Sequence, residues 1–434
     1  MNITIIGTGY VGLTSGVCLA EIGHTVTCVD IDEKKVERLK TGACPIFEEG
    51  LSELLSKNCS AGRIRFTTDF AQGMAAGQII FFCVDTPPGD YGKANLSNLL
   101  SAVKSCGEHL DRPVLFVNKS TAPVGTAAKI IETINAIKPG AEFSVASNPE
   151  FLQEGSAVKN FMRPDRIVVG VADERGHNLL HECYHSFIDS GVPFLATSIE
   201  SAELIKYAAN AFLALKISFI NEIADFSESV GADIADIAKG IGFDPRIGPH
   251  FLQAGIGYGG SCFGKDVKAL AAAGEERGFE FKIIKALSTV NDLRYRIILS
   301  KLIKHLGDLS GKKIAVLGLA FKPKTDDVRD SPSLRIIHEL LERGAVVTAY
   351  DPVANHNFIK ASPESSRIEL SDSALSALAR ADALVILTAW NEFKNLDLEK
   401  IKAAMSNGLI VDGRNIFSRA LAEAAGFAYE GVGR

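Results

Sequence analysis

Short apolar runs alternate with amphipathic segments along most of the chain, and most of these runs end in glycine or polar residues. The first run, NITIIG, precedes a helical pattern through Ala20 and a second run, TVTCVD. Later runs lie at 78–87, 113–126 and 142–155. Apolar strands separated by helices are typical of a parallel sheet with helices on both faces. We therefore predict a doubly wound α/β domain at the start of the chain.

The same pattern begins again near residue 310, with apolar runs in GKKIAVLGLAF, AVVTAYDP and the segments 381–390 and 408–413. Between the two halves, residues 200–227 contain neither Pro nor Gly and are apolar nearly all round. This predicts a long buried helix, and Thr197 with Glu200 resembles a capping box at its start. The predicted class is α/β: two doubly wound Rossmann-like domains joined by a central long-helix section. The predicted boundaries are 1–196, 197–300 and 301–434.

The segment GTGYVG lies between the first strand and the first helix and contains Gly7, Gly9 and Gly12. Glycines at these positions permit a tight turn, a close approach to a pyrophosphate and close packing of helix on strand. Asp30 ends the second strand, where a carboxylate accepts ribose hydroxyls and repels a 2′-phosphate. NAD is therefore favoured over NADP. Lys35 either tolerates that phosphate or is a solvated helix residue.

Four polar residues follow later strands, and the carboxyl ends of parallel strands are where such sheets bind ligands. They are Thr86, Thr121, Glu150 and Glu154. Together they are candidates to line one crevice. For each of them alone, a role in capping a loop is an equal alternative.

Lys206 and Asn210 lie four residues apart and therefore share a face of the long helix. An ammonium and an amide on one face are suitable donors to an oxyanion. The alternative for Lys206 is a surface lysine whose stem packs on apolar neighbours. A long apolar helix in the middle of the chain also suits a homodimer interface.

Cys262 stands in the glycine-rich run GIGYGGSCFGKD, unlike the other seven cysteines. From the run alone, it is a buried thiol, a metal ligand or a nucleophile. No cysteine lies in a CxxC pair or near a His at zinc-ligand spacing, so we expect no metal. Cys28 and Cys83 lie within apolar runs, as core residues do.

The first strand of the second half is followed by three cations, Lys322, Lys324 and Arg329. The loop lacks the GxGxxG pattern that follows the first strand of the first half. Cations before a helix N-terminus suit the phosphates of a nucleotide. The alternative is a solvated charged loop. The second half therefore has a different ligand from the first.

The 434 residues carry a net charge of −6 and contain no Lys/Arg-rich run, so no nucleic-acid partner is expected. No apolar run approaches the ~20 residues of a membrane-spanning helix. The beginning of the chain has no secretion-signal pattern. The sequence thus predicts a soluble, cytoplasmic protein with no membrane partner.

Seven motifs occur together and in order: GTGYVGL, KSTAPVGT, NPEFLQEGSA, AELIKYAANAF, GIGYGGSCFGKDVKAL, GLAFKPKTDDVRDSP and VDGRN. In these motifs the chain resembles the nucleotide-sugar dehydrogenases of the UDP-glucose/GDP-mannose family over essentially its whole length. That family oxidises a sugar C6 hydroxyl to a carboxylate in two NAD-dependent steps, without releasing the aldehyde. The resemblance therefore implies NAD as cofactor and a nucleotide sugar as substrate.

The resemblance also implies catalytic roles at individual positions. It makes Cys262 the nucleophile and Lys206 and Asn210 the oxyanion donors. It also implies that Asp266 positions Lys206 and water, and that Thr121 and Glu154 are the residues that bind water and act as acid and base. Cofactor contacts are implied at the glycine-rich turn (Gly7, Gly9, Tyr10, Val11, Gly12) and at Asp30, Lys35, Thr86, Thr121, Glu154, Lys265 and Arg329. Substrate contacts are implied at Glu150, Phe151, Leu152, Gln153, Lys206, Asn210, Phe251, Leu252, Gln253, Ala254, Gly255, Gly259 and Lys322. Arg246 matches an arginine that reaches the substrate of the neighbouring subunit.

One position departs from the family pattern, because Gly264 stands where proline is usual, which would loosen the loop after the cysteine. The motif GGSCF argues against the N-acetylhexosamine members, which carry GGPC. UDP-glucose is the expected substrate, with GDP-mannose as the alternative. Two readings outside this chemistry are a nucleotide-binding regulator with a dead site and a β-hydroxyacid dehydrogenase, which transfers one hydride and needs no cysteine.

Overall fold

A computed structural model describes residues 1–434, which form two compact units. Unit 1 comprises residues 1–209 and 272–279, and unit 2 comprises residues 210–271 and 280–434. The division of the sequence at 196/197 and 300/301 stays a prediction.

Unit 1 is built on one eight-stranded sheet whose strands are mostly apolar and buried. The strands are β1 Asn2–Ile6, β2 Thr25–Val29, β3 Ile64–Thr67, β4 Ile79–Phe82, β5 Val114–Asn118, β6 Phe143–Ser147, β7 Ile167–Val171 and β8 Phe194–Thr197. Their order is β3-β2-β1-β4-β5-β6-β7-β8, and every neighbouring pair is parallel except β6 with β7. The first six strands thus have the doubly wound order of dinucleotide-binding domains.

Helices connect these strands and cover the sheet. They are α1 Tyr10–Glu21, α2 Glu33–Lys40, α3 Leu51–Ser60, α4 Phe70–Met74, α5 Ser97–Glu108, α6 Thr126–Ile137, α7 Ala157–Met162, α8 Glu174–Cys183 and α9 His185–Asp189, with a short 3-10 turn at Asp90–Gly92. Two apolar clusters form the core of this unit, one on each face of the sheet. This arrangement follows from strands that are apolar on both sides.

The central section is helical and begins with α10, which is long and uninterrupted. Its helices are α10 Ile199–Val230, α11 Ile234–Gly242, α12 Phe263–Glu275, α13 Lys282–Leu293 and α14 Tyr295–Leu306. The expected capping box is wrong: Thr197 ends β8, and the Ser198 hydroxyl accepts the Ser201 N–H at 3.2 Å instead. The expected full burial of α10 is also wrong, since Phe212 and Phe226 are 61% and 64% exposed.

Unit 2 contains a second, all-parallel sheet of six strands. The strands are β9 Lys313–Leu317, β10 Val346–Tyr350, β11 Ile368–Leu370, β12 Ala383–Ile386, β13 Leu409–Asp412 and β14 Ala428–Glu430, in the order β11-β10-β9-β12-β13-β14. The flanking helices are α15 Pro332–Glu342, α16 Asn355–Ala361, α17 Ala374–Ala377, α18 Asn391–Lys394, α19 Leu398–Ala404 and α20 Arg419–Ala424, with a 3-10 turn at Ser365–Arg367. The predicted class of two doubly wound α/β halves with a long-helix section is therefore confirmed.

Ion pairs hold the last strand of unit 2 against its helices. The buried Lys301 ammonium lies 2.8 Å from Glu228 and 3.4 Å from Glu430, whose carboxylate also contacts Lys304 and His305. Burial raises the pKa of Glu430, but the hydrogen bonds and charges of these partners outweigh it and lower the pKa to about 2. Lys301 is thus a buried lysine whose partners are carboxylates.

None of the helices combines the length and the apolar character needed to cross a lipid bilayer.

Candidate active site

The glycine-rich turn between β1 and α1 has a backbone that only glycine accommodates at two positions. Gly7 has φ +92°, and a Cβ at Gly12 would lie 1.9 Å from the Gly7 carbonyl oxygen. Gly9 caps α1 with its backbone alone, and no acidic residue lies in the first turn of the helix. The N–H groups at this helix N-terminus therefore remain suited to an anionic pyrophosphate.

Asp30 follows β2 and lies beside this turn with little exposure to solvent. Its carboxylate accepts the Thr8 N–H at 2.8 Å and the Thr8 hydroxyl at 2.6 Å, and lies 3.0 Å from the Lys35 ammonium. Burial raises the pKa of Asp30, but these hydrogen bonds and one from Asp32 hold it below its usual value. Asp30 is thus an ionised acceptor, as a ribose diol requires, and Lys35 is its ion-pair partner. These residues fit a bound dinucleotide.

Glu48 connects the glycine-rich turn with the loop that carries Glu154. Its carboxylate accepts hydrogen bonds from the Tyr10 hydroxyl, from the Gly155 N–H at 2.7 Å and from the Ala157 N–H at 2.8 Å. The last of these bonds caps α7. Glu48 was not predicted from the sequence, because two of its partners, Gly155 and Ala157, lie more than a hundred residues away along the chain.

Thr86 and Thr121 follow β4 and β5, and the Thr86 hydroxyl donates to the Thr121 carbonyl at 2.6 Å. The two strand ends are thereby brought together, as their positions at one edge of the sheet predict. Thr121 is half-buried, and its hydroxyl is not the group that makes this contact.

Glu150 and Lys206 form a buried ion pair in unit 1, with 3.0 Å between the Glu150 Oε1 and the Lys206 Nζ. The two side chains are 6% and 5% exposed, so the surface-lysine reading of Lys206 is wrong. Burial raises the pKa of Glu150, but the charge and hydrogen bond of Lys206 and the Leu152 N–H at 2.5 Å outweigh it and lower the pKa. Glu150 is therefore a carboxylate that orients the Lys206 ammonium.

Glu203 lies one helical turn before Lys206 and fixes the start of α10. Its carboxylate accepts the Gly125 N–H at 2.7 Å and the Ala127 N–H at 3.0 Å, at the N-terminus of α6. This is another partner that the sequence analysis missed. It joins the helix of Lys206 to the element that follows the Thr121 loop.

Asn210, one turn after Lys206 along α10, is held by Asp266 in unit 2. The Asn210 Nδ2 donates to the Asp266 Oδ2 at 2.6 Å, and the Lys265 Nζ lies 2.7 Å from the Asp266 Oδ1. Asp266 is 1% exposed. Its carboxylate therefore fixes the amide orientation, with the Asn210 carbonyl oxygen turned away from Asp266 and one amide hydrogen left to donate elsewhere.

Cys262 is exposed, in contrast to the buried Cys28 and Cys83. It directly precedes α12, and its carbonyl accepts the Asp266 N–H at 2.9 Å, so its thiol stands at a helix N-terminus. The positive end of the helix dipole favours the thiolate form of a cysteine there. Exposure and position thus exclude the core-thiol reading of Cys262. The chain contains no cluster of three or more potential metal-binding side chains.

The glycines before Cys262 permit close packing against other residues of the protein. A Cβ at Gly259 would lie 2.3 Å from the Asp330 carbonyl oxygen, and a Cβ at Gly260 would lie 2.7 Å from the Phe321 ring. The Gly260 N–H also donates to the Arg329 carbonyl at 2.8 Å. The run therefore packs against the loop after β9, which is a reason for its glycines that the sequence analysis missed.

The remaining implied contacts lie on the loops of unit 2. Arg329 pairs with Asp327 at 2.8 Å, and the Lys322 ammonium lies 5.3 Å from the centre of the Phe321 ring. Leu252 and Ala254 are buried in an apolar cluster, so only their backbone is available to a ligand. Arg246 is largely exposed and pairs with Asp244 at 2.6 Å.

Three models of one protein family match successive parts of the chain: the NAD binding domain, the central domain and the UDP binding domain of the UDP-glucose/GDP-mannose dehydrogenase family, at residues 1–188, 200–293 and 315–419. The chain is similar to UDP-glucose 6-dehydrogenases from Rhizobium meliloti and Bacillus subtilis, each 46% identical over all of this chain and over 100% and 93% of the relative. It is also similar to the structure of a UDP-glucose dehydrogenase from Pyrobaculum islandicum, with 39% identity, a TM-score of 0.93 and coverage of 100% of this chain and 97% of the other. The resemblance seen in the motifs and the expected cofactor NAD are thereby confirmed.

Gly264 lies in the first turn of α12 and not in a loop, so the expected loosening of a loop is wrong. A Cβ there would meet only the Asp330 Oδ2, at an ordinary contact distance of 3.6 Å. We therefore expect Gly264→Ala to raise the free energy of unfolding by about 0.5 kcal/mol, because alanine loses less backbone entropy in a helix. Urea unfolding measures this change.

The matched control is Gly260→Ala, where φ is +85° and the added Cβ would clash with Phe321. This variant should be destabilised by at least 1 kcal/mol. A loss of stability in Gly264→Ala of the same size would contradict the helical placement of residue 264.

Proposed function

The chain belongs to the UDP-glucose/GDP-mannose dehydrogenase family, and from this premise we propose that it oxidises UDP-glucose to UDP-glucuronate with two equivalents of NAD⁺. The observation that carries the choice of sugar is the full-length similarity to bacterial UDP-glucose 6-dehydrogenases. The reaction converts the C6 hydroxyl to a carboxylate and consumes one water. A cytoplasmic location stays a prediction.

The glycine-rich turn and Asp30 hold the cofactor in this proposal. NAD, when bound, supplies the acceptor for the hydride that leaves C6 in each oxidation. The N-terminus of α1 binds its pyrophosphate, and the ionised Asp30 accepts the ribose hydroxyls. The remaining cofactor contacts are expected at Tyr10, Val11, Lys35, Thr86, Lys265 and Arg329.

Cys262 makes the second oxidation possible. An aldehyde carbon has no hydroxyl whose proton can be removed as a hydride leaves. When the Cys262 thiolate adds to C6, a C–S bond forms and the carbonyl electron pair moves to oxygen, which gives a thiohemiacetal. Loss of hydride from this species leaves a thioester. Water then adds to the thioester, the C–S bond breaks, and the thiolate departs as the carboxylate forms.

Lys206 and Asn210 stabilise the negative charge on the C6 oxygen. Both tetrahedral species, the thiohemiacetal and the adduct with water, place an anionic oxygen at this carbon. Donors held in advance stabilise such charge without reorganising during the reaction. The contacts of Lys206 with Glu150 and of Asn210 with Asp266 hold both donors in this way.

Thr121, Glu154 and Asp266 carry the proton transfers and orient water in the proposal. Glu154 exchanges protons with the C6 hydroxyl and with the attacking water, as a positioned carboxylate can. Its loop is fixed by the hydrogen bond from the Gly155 N–H to Glu48. The fixed loop supports a defined position for this acid–base group.

The nucleotide of the substrate is assigned to unit 2. The family model of a UDP binding domain covers residues 315–419, and Lys322 lies in the loop after its first strand. The other proposed contacts are Glu150 to Gln153, Phe251 to Gly255 and Gly259. Arg246 is exposed and bonds only to its neighbour Asp244 in this chain, which leaves it accessible to a partner subunit.

We also propose a homodimer, supported by an exposed apolar stripe on α10. Phe212, Phe219 and Phe226 are 61%, 48% and 64% exposed and recur every seven residues, so they share one face of the helix. The stripe is symmetric about Phe219. Two antiparallel copies that cross there place Phe212 against Phe226 of the partner subunit, which is the self-complementarity that a two-fold interface requires.

The function is tested by supplying NAD⁺ with UDP-glucose, GDP-mannose or UDP-N-acetylglucosamine in separate reactions and measuring NADH and acid. We expect UDP-glucuronate from UDP-glucose, with two NADH per acid formed. One NADH per substrate would indicate a single-hydride dehydrogenase. Acid from GDP-mannose but not from UDP-glucose would refute the choice of sugar. Turnover of none of the three nucleotide sugars would favour a nucleotide-binding regulator with a dead site.

The dimer is tested by Phe219→Glu, which places a charge at the centre of the stripe. Light scattering after size-exclusion chromatography should give twice the chain mass for the wild type and the chain mass for the variant. Leu421→Glu is the matched control, because Leu421 is 65% exposed on the short helix α20 and should leave the dimer intact. A wild-type monomer, or a dimer that survives Phe219→Glu, argues against this interface.

A further inference from the structure

Lys119 is a buried lysine that none of the roles above uses. It follows β5 and is 5% exposed. Its ammonium donates to the Asn148 side-chain oxygen at 3.0 Å and lies 3.4 Å from the Asn148 carbonyl oxygen. Neither acceptor is charged. Burial lowers the pKa of Lys119, as expected for an ammonium removed from water without an adjacent carboxylate.

The ionisable groups that face Lys119 come from four elements. They are Cys83 after β4, Glu150 after β6, Cys183 at the end of α8, and Lys206 on α10. Burial raises the pKa of both Cys83 and Cys183 to about 12, so these thiols are neutral. Glu150 is therefore the anion of the group, and its carboxylate interacts electrostatically with both ammonium groups.

Asn148 connects Lys119 to Glu150 through two residues of chain. Its side chain is fixed from three directions: by Lys119, by the Tyr184 hydroxyl at 2.6 Å, and by its own donation to the Val168 carbonyl at 2.8 Å. Pro149 then restricts the backbone of the next step. The Glu150 carboxylate at the end of this segment is the group that contacts Lys206.

We propose that Lys119 is a positioning residue for the oxidation of the sugar, acting through Asn148 and Glu150 to hold Lys206 in its working orientation. This rests on the proposed function of Lys206 as an oxyanion donor. Lys119 touches neither substrate nor cofactor in this role. Lys119 fixes the segment from Asn148 to Glu150. The Glu150 carboxylate then interacts with the positive charges of both Lys119 and Lys206.

The second part of this role is electrostatic. A buried glutamate paired with one lysine cancels most of the charge of that lysine. A second ammonium behind the glutamate offsets this cancellation and leaves the group with one net positive charge. Lys206 then presents more positive potential to an oxyanion, and in a buried site such charge is weakly screened.

The experiment compares Lys119→Met with wild type in kcat, in the binding of UDP-glucose measured by calorimetry, and in the pH profile of kcat. We expect kcat to fall at least tenfold while the dissociation constant for UDP-glucose changes less than threefold. The charge of Lys119 lowers the pKa of Glu150, so its removal raises that pKa. The acid limb of the kcat profile should therefore move to higher pH, whereas a merely structural loss lowers kcat equally at every pH.

Two variants serve as controls. Lys119→Arg keeps the charge and should keep the acid limb at its wild-type position, whatever its effect on kcat. Lys301→Met removes another buried lysine, whose partners Glu228 and Glu430 lie in unit 2. It should lower stability and leave the pH profile unchanged. A shifted acid limb in Lys301→Met would show that the shift does not report on Lys119.

Asn148→Ala keeps the inference testable if Lys119→Met does not fold, because the same chain of contacts predicts a comparable fall in kcat with less than a threefold change in the dissociation constant for UDP-glucose. The acid limb should stay at its wild-type position in this variant, because Lys119 keeps its charge. Where both single variants fold, the double variant should lose little more than either one, since they act through one connection. Wild-type kinetics in Lys119→Met, or unchanged kinetics in Asn148→Ala, would overturn the inference. A wild-type protein that does not oxidise UDP-glucose refutes the proposed function instead, before any variant is compared.

Discussion

The contact between Glu150 and Lys206 is the constraint on which the site depends. Burying an ammonium or a carboxylate alone costs several kcal/mol, so each of these side chains requires the other. The pair therefore fixes the loop after β6 against α10. Glu203 and Lys119 support the same contact from the helix start and from the sheet.

Glycine serves two purposes in this chain, and the sequence pattern separates them poorly. At the turn after β1, glycine permits a backbone that leaves helix N–H groups free for a pyrophosphate. In the run before Cys262, it lets the backbone pack on Asp330 and Phe321. Both segments read as ligand loops in the sequence. In the second segment the packing within unit 2 is enough to require glycine, and ligand access adds to that requirement.

The sequence predicts the features that depend on neighbours along the chain. The apolar runs predicted the central strands of both sheets, and the spacing in GTGYVG predicted the turn and Asp30. Lys206 and Asn210 share a helical face for the same reason. Glu48 and Lys119 were missed, because each is a single polar residue whose partners lie in distant segments. The strands β3, β7, β8, β11 and β14 were missed as well, and the antiparallel pairing of β7 with β6 departs from the regular alternation.

The expected full burial of α10 was wrong for a different physical reason. An apolar surface all round a helix predicts burial, and burial by the same chain or by a second copy gives the same sequence pattern. In the proposed dimer, the exposed phenylalanines of α10 are buried by the second copy of the chain. For the charged residues of the site, the sequence shows only the residue type. Their protonation states follow from the partners that they contact in the structure.

The covalent role of Cys262 is the central claim, and Cys262→Ser tests it most directly. The variant should bind UDP-glucose with a dissociation constant close to that of the wild type and should form UDP-glucuronate about a thousandfold more slowly, because a serine hydroxyl is a far weaker nucleophile than a thiolate. Uronate formation at the wild-type rate in this variant would contradict the account.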